Sequence, residues 1–172
     1  DIIRYLESIT QIGNRLNVPV YAVGGFVRDL ILNVPNKDID IVVEGEGIPF
    51  AVCLAELFGG KIKSHEKFGT SVVILSNGDR IDVATARTEY YKYPAALPTV
   101  KRGSIKSDLF RRDFTVNSMA IKLTGSNAFC LIDFFDGEKD LRSRKIHVLH
   151  SLSFIDDPCR LFRAIRFEQR FG

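Results

Sequence analysis

VYAVGGFVRDLILNVPNKDIDIVV, residues 20–43, decides how the rest of the chain is read. It reads as strand, glycine turn, short helix, loop and second strand. Gly24 and Gly25 directly follow the apolar run 21–23, so the backbone can turn tightly there and leave amide groups free to approach a phosphate. Arg28 and Asp29 fall in the first turns of the helix. On the second strand Asp38 and Asp40 lie two residues apart and share a face, at the mouth of an otherwise Ile/Val strand. Two adjacent carboxylates repel unless something cationic stands between them. A hard divalent ion with oxygen ligands, itself gripping substrate phosphates, is the usual resolution.

Further along, residues 61–65, 70–75 and 80–84 read as strands, the last two joined by the turn Ser76-Asn77-Gly78-Asp79 into a hairpin. In RIDVATAR, Asp82 points opposite to Ile81 and Val83. If those two enter the core, Asp82 looks out on the other face, and an adjacent strand would set it beside Asp38 and Asp40. Three carboxylates from two strands suit two-metal phosphoryl chemistry. Residues 2–16 carry Ile2, Ile3, Leu6, Ile9, Ile12 and Leu16 at helical spacing, the pattern of a helix packed on the sheet, and residues 48–58 form a second helix stopped by Gly59 and Gly60.

The chain has 172 residues, 45% of them hydrophobic and 26% charged, enough for one main domain with an ordinary core. No apolar run approaches the roughly 18 residues of a membrane helix, and no signal peptide opens the sequence. The expectation is a cytoplasmic protein with no membrane partner. Cys53, Cys130 and Cys159 are widely spaced and do not cluster with His65, His147 and His150, so neither disulfides nor structural zinc are expected. Residues 1–100 hold 10 Lys/Arg against 12 Asp/Glu, whereas residues 101–172 hold 14 against 9. That asymmetry suits a polyanion lying across the second half with its reacting end at the carboxylates.

Residues 88–104, TEYYKYPAALPTVKRGS, show no clear period and read as a long loop whose aromatic and basic side chains could stack on nucleic acid. Ser104 can cap a helix running to about residue 112, which ends in the charge cluster Arg111, Arg112 and Asp113. Residues 120–123 and 129–133 read as two more strands. In the last stretch, DDPCRLFRAIRFEQRFG, Pro158 suits a first helical position. Asp157 then reads as the cap with Arg160 as its ion partner, while Arg163 lies further round the helix and Arg166 well away.

GGFVRD followed by KDIDIVV resembles the nucleotidyltransferase signature of the DNA polymerase beta superfamily. In detail it is similar to the class II tRNA nucleotidyltransferases (CCA-adding enzymes) and the bacterial poly(A) polymerases related to them. The resemblance runs from Val20 to the end of the chain, with its motifs in family order. It implies an α+β head domain over residues 1–150, a polymerase beta-like mixed sheet flanked by helices. Residues 151–172 would be the start of an all-α neck whose helical continuation is missing here. It implies Asp38, Asp40 and Asp82 as catalytic ligands of two Mg2+ ions, and Gly24, Gly25, Arg28 and Asp29 in the nucleotide site. RRDFTVNSMA matches the family's second nucleotide motif, which assigns Arg112 to the triphosphate and Asp113 and Asn117 to the sugar side.

By the same resemblance, Asp156-Asp157-Pro158-Cys159-Arg160 corresponds to the Glu-Asp-x-x-Arg of a templating helix, with Asp156 in place of Glu. Asp157 and Arg160 would read the base, and Arg163 and Arg166 would orient that pair or meet phosphate. An Asp accepts from an exocyclic amine and an Arg donates to a ring nitrogen or carbonyl, so one pair can take C and A while rejecting U and G. The implied function is addition of C and/or A, from CTP and ATP, to the 3′ end of tRNA with release of pyrophosphate. An A-adding enzyme or a poly(A) polymerase shares these motifs, and a catalytically silent RNA-binding module is the rival of another class. Three mutually repelling acids argue against silence.

Overall fold

The computed structural model describes residues 2–171. In chain order the elements are α1 (Ile2–Leu16), β1 (Val20–Val23), α2 (Gly25–Ile31), β2 (Ile39–Val43), α3 (Gly47–Phe58), β3 (Lys61–His65), β4 (Thr70–Ile74) and β5 (Arg80–Thr85). There follow β6 (Arg87–Tyr90), β7 (Thr99–Arg102), α4 (Ile105–Phe110), β8 (Met119–Lys122), β9 (Leu131–Asp133), α5 (Gly137–Arg142), α6 (Ser153–Asp156) and α7 (Cys159–Phe171). Seven strands form one mixed sheet in the order β3-β4-β5-β2-β1-β8-β9, and β6 and β7 pair as a separate ribbon. This is the α+β arrangement expected from the sequence.

The sheet's two faces are treated differently, and the strand alternation shows why. Ile39, Ile41 and Val43 of β2 and Ile81 and Val83 of β5 point to one face, where they are buried with Ile9 and Ile12 of α1 and Phe50 and Leu54 of α3. The other face carries Tyr21, Val23 and Val42, and α4 packs on it through Ile105 and Leu109. The odd-numbered core residues of β2 and β5 therefore commit Asp40 and Asp82 to the second face. Strands β2 and β5 run parallel, and their register sets Asp40 directly opposite Asp82. A parallel neighbour requires a crossover, which α3, β3 and β4 supply. Gly59, in the left-handed region at φ 59°, ends α3 where the sequence expected a stop.

Three local features differ from the sequence reading. In α1 the buried stripe is Tyr5, Ile9, Ile12 and Gly13, while Ile3 is 73% exposed. The stripe is rotated because Tyr5 reaches the β4–β5 turn, its hydroxyl donating to Asp79 Oδ2 at 2.7 Å, and sets its ring edge-on to Phe58. Residues 88–104 are not a structureless loop: Arg87 pairs with Arg102 and Tyr90 with Thr99 across an antiparallel ribbon. Its four-residue strands escape a search for apolar alternation because Arg87 and Glu89 use their shared side for an ion pair at 2.9 Å. Helix α4 is capped as expected, Ser107 N donating to Ser104 Oγ at 3.3 Å, but it ends at Phe110.

Residues beyond 151 fold back onto this unit. Phe167 of α7 meets Phe114 edge-on with centroids 5.8 Å apart, and Arg170 donates to Asp29 Oδ2 at 3.2 Å. Among the described residues no helix is long and apolar enough to cross a membrane.

Leu54 is fully buried between α3 and the sheet. Leu54→Ala should lower the unfolding free energy by about 2–5 kcal/mol through the cavity it leaves. Urea unfolding checks this as a lower midpoint at an unchanged m-value.

Candidate active site

The site begins where β1 ends. Gly24 adopts φ 69°, ψ −135°, a conformation open to glycine and strained for other residues. A Cβ there would stand 2.8 Å from Arg112 Nη1 and 3.5 Å from Asp40 Oδ2. The missing side chain thus lets a guanidinium lie across the turn beside a carboxylate. Arg112 donates through Nη2 to Asp108 Oδ2 at 3.1 Å, and its buried Nε has no hydrogen-bond partner. A buried donor left unmade is costly, and it marks a place where an anionic acceptor would be stabilised.

Burial pushes the Asp40 carboxyl up to about 6; Asp82 and Asp38 push the same way, while Arg112 and Arg80 oppose them. The strand register brings Asp40 and Asp82 together as the sequence suggested. Convergence on one point is not reached: among the described residues no group of three or more His, Cys, Asp or Glu side chains is set to hold a metal ion. The reason is local. Arg80, two residues before Asp82 on β5, draws that carboxylate to itself through Nε–Oδ1 at 2.9 Å and Nη2–Oδ2 at 2.7 Å. Asp38 is exposed just before β2, its own amide donating to Asn36 Oδ1.

A second group of residues forms one relay, buried except at Arg163. Arg28 donates through Nε and Nη2 to Asp29 Oδ1 and through Nη1 to Asn117 Oδ1 at 2.5 Å. Asn117 Nδ2 donates to Asp113 Oδ1 at 3.0 Å, and Asp113 Oδ2 accepts from Arg163 Nε at 2.7 Å. Asp29 faces away from the opening, held also by Asn36 and Arg170. Arg163 thus pairs with Asp113, where the family resemblance had it orient the Asp157–Arg160 pair or meet phosphate.

The remaining wall comes from the ribbon and α7. Glu89 Oε1 accepts from Arg87 and Arg111, and its Oε2 accepts from the Tyr91 hydroxyl at 3.0 Å. Burial, reinforced by Glu89, pushes the Tyr91 hydroxyl up to about 12. Arg160 is buried, its Nη1 donating to Ser153 Oγ and its Nη2 to the Arg111 carbonyl at 2.9 Å. Asp157 caps α7, Oδ1 accepting from Cys159 N at 3.0 Å, and its Oδ2 lies 3.8 Å from Arg160 Nε. The bland local reading of Asp157 and Arg160 thus holds, and both still face the opening.

That opening is a cavity of about 450 Å3. Of the residues singled out in the sequence, Gly24, Gly25, Arg28, Asp40 and Arg112 line it, as do Asp113, Asn117, Asp157, Arg160 and Arg163. Asp82 instead lines an adjoining cavity of about 340 Å3 that shares Asp40 and Arg112 with the first. Asp29, Asp38 and Arg166 line neither. Glu89, Tyr91, Arg111 and Phe167 complete the first wall and were not assigned to it from sequence. Phe167 follows Arg160 and Arg163 at helical spacing and could have been found by that period, whereas Glu89 carried no local signal.

Residues 20–147 match the family described as the poly A polymerase head domain. An A-adding tRNA nucleotidyltransferase of Geobacter sulfurreducens is 54% identical over 167 residues, 97% of this chain and 19% of that protein. Its counterpart in Halalkalibacterium halodurans is 42% identical over 172 residues, 100% of this chain and 40% of that one. Among solved structures, a CCA-adding enzyme in apo form II is 54% identical with a TM-score of 0.92, over 99% of this chain and 40% of the other. The Thermotoga maritima CCA-adding enzyme complexed with tRNA is 49% identical with a TM-score of 0.87, over 99% of this chain and 38% of the other. The chain thus spans from 19% to 40% of the length of these relatives. Because the match runs through the Gly24 turn, both carboxylate strands and the Arg112 segment, the chain belongs to the poly A polymerase head-domain family.

Proposed function

We propose that this chain is the catalytic head of a cytoplasmic tRNA nucleotidyltransferase that adds A, or C and A, from ATP and CTP to the 3′ end of tRNA. One observation carries the reading: a single cavity is lined by Gly24, Asp40 and Arg112 together with the Asp157–Arg160 pair. Groups suited to a triphosphate and a hydrogen-bonding pair suited to a base thus line one cavity of about 450 Å3. The relatives' names support it, since solved CCA-adding enzymes 49% identical to this chain are described in complex with CTP and with ATP. Addition of A alone is the reading favoured by the names of the relatives from Geobacter and Halalkalibacterium.

In this mechanism Arg112 and the amides of the glycine turn bind the triphosphate, and the Arg28–Asn117–Asp113 relay fixes the sugar side of the pocket. Asp157 keeps Oδ2 for an exocyclic amine, and each Nη of the buried Arg160 retains a second hydrogen for a ring acceptor. The terminal ribose hydroxyl attacks the α-phosphorus as the bond to pyrophosphate breaks. The donor set fits a hard divalent cation: it is all oxygen, and the burial and carboxylate neighbours that raise Asp40 to about 6 are relieved by positive charge. Asp38, Asp40 and Asp82 would hold it. When bound, Mg2+ activates the attacking hydroxyl and neutralises charge developing on the phosphates.

The test is incorporation of each labelled NTP by the full-length protein that carries this chain. tRNA lacking its CCA end and tRNA already ending in CC serve as acceptors. Extension of the second acceptor only, by A, identifies an A-adding enzyme, and C, C and A on the first a complete CCA-adding one. Asp40→Ala should abolish incorporation; activity that survives it would sink the catalytic reading.

Arg112→Ala should lower the transfer rate by roughly 10²–10³-fold, the loss typical of a donor aimed at developing charge, as single-turnover kinetics will read. Gly24→Ala should add about 1–3 kcal/mol of backbone strain and push Arg112 off the turn. The measurement is reduced kcat for A addition with the far-ultraviolet circular dichroism spectrum retained.

A further inference from the structure

Arg80 belongs to neither the triphosphate nor the base side of the site, yet it lines the adjoining cavity together with Asp40, Asp82 and Arg112. It stands at the start of β5, two residues from Asp82 and therefore on the same face. Its guanidinium engages both oxygens of that carboxylate, Nε to Oδ1 at 2.9 Å and Nη2 to Oδ2 at 2.7 Å, a bidentate fork. Asp82 is thereby turned along its own strand instead of across to Asp40, its register partner on β2. The pair is open to water, with side chains 58% and 36% exposed. Exposed pairs of this kind are weakly held, so a second cation can displace the arginine.

We propose that Arg80 is a built-in counter-ion for Asp82, a positioning residue that occupies the carboxylate until a divalent cation takes it. The inference rests on the reading of Asp38, Asp40 and Asp82 as a cation site and goes beyond it. It makes the third carboxylate a ligand won by competition rather than one held ready. Two consequences follow from that exchange. With Arg80 in place, part of the binding free energy of the ion is spent on releasing the guanidinium, so affinity is lower than the three carboxylates alone would give. Once released, the long side chain is left at the edge of the cavity with its five donors free.

The experiment is Mn2+ binding to the full-length protein, read as loss of the free-ion electron paramagnetic resonance signal, without nucleotide or RNA. Arg80→Gln should bind Mn2+ about two- to fivefold more tightly than the unaltered protein, the range given by an exposed ion pair. Arg80→Lys, which keeps the charge but loses the fork, should fall between the two. Thermal midpoints should match across the three proteins because the pair is exposed. Unchanged or weaker binding by Arg80→Gln overturns the proposal. Asp40→Asn in the same titration tests the underlying reading separately: it should weaken Mn2+ binding. If it does not, or if the unaltered protein binds no Mn2+, the cation site itself falls and the role of Arg80 with it.

Discussion

Asp113 is the carboxylate on which three separate parts of the chain depend. Its Oδ1 accepts from its neighbour Phe114 N and from Asn117, while Oδ2 accepts from Arg163 on α7. Through Asn117 it reaches Arg28, and through Arg28 it reaches Asp29 and the start of α2. The order along this relay is acid, base, amide, acid, base, so no like charges touch. The middle group must accept from a guanidinium and donate to a carboxylate, which the Asn117 amide does through Oδ1 and Nδ2. Breaking a buried pair by removing one partner costs roughly 3–5 kcal/mol, since the other charge is left without compensation. Arg28 and Asp29 are both buried, and the relay ties the start of α2 to α7, both of which line the main cavity.

The sheet supplies the other constraint. One face is sealed by α1 and α3, whereas the other is covered by α4 through Ile105 and Leu109. The same strand alternation that buries Ile39, Ile41, Ile81 and Val83 puts Asp40 and Asp82 on the α4 side, where two cavities meet at Asp40 and Arg112. Burial and the neighbouring carboxylates outweigh Arg112 and Arg80 there, and Asp40 is raised to about 6. The fold thus concentrates negative potential at one spot, with a guanidinium on either side of it.

What could be read in the sequence was local. The glycine turn, the two Asp-bearing strands and the capping role of Asp157 each depend on residues within a few positions of one another, where period and turn chemistry act directly. Even the pairing of β2 with β5 could be anticipated, because the Ile/Val alternation leaves each Asp the same face. The ribbon β6–β7 was not legible, since its strands are four residues long and use charge rather than apolar side chains. Nor was the role of Glu89, whose partner Arg111 is distant in sequence. Arg166 is the converse case: its spacing already set it well away from Arg160, only the family resemblance gave it a task, and the residue is exposed and lines neither cavity. Three-residue steps on a helix of about 3.6 residues per turn drift off the working face.

The position of β1 has a bearing on how the chain is made. It is a strand of four buried residues, VYAV, at the interior of the sheet, flanked by β2 on one side and β8 on the other. Ala22 pairs with Ile41, close behind it in the chain, but its second neighbour, Ile121, lies far later in the sequence. Until then β1 is an apolar edge with unpaired amides, the kind of surface that recruits strands from other chains. A nascent or truncated product ending before β8 therefore exposes a template for aggregation. Completion of the Arg112 segment and of β8, the strand that follows it, covers that edge and brings Arg112 to the glycine turn in the same stretch of synthesis.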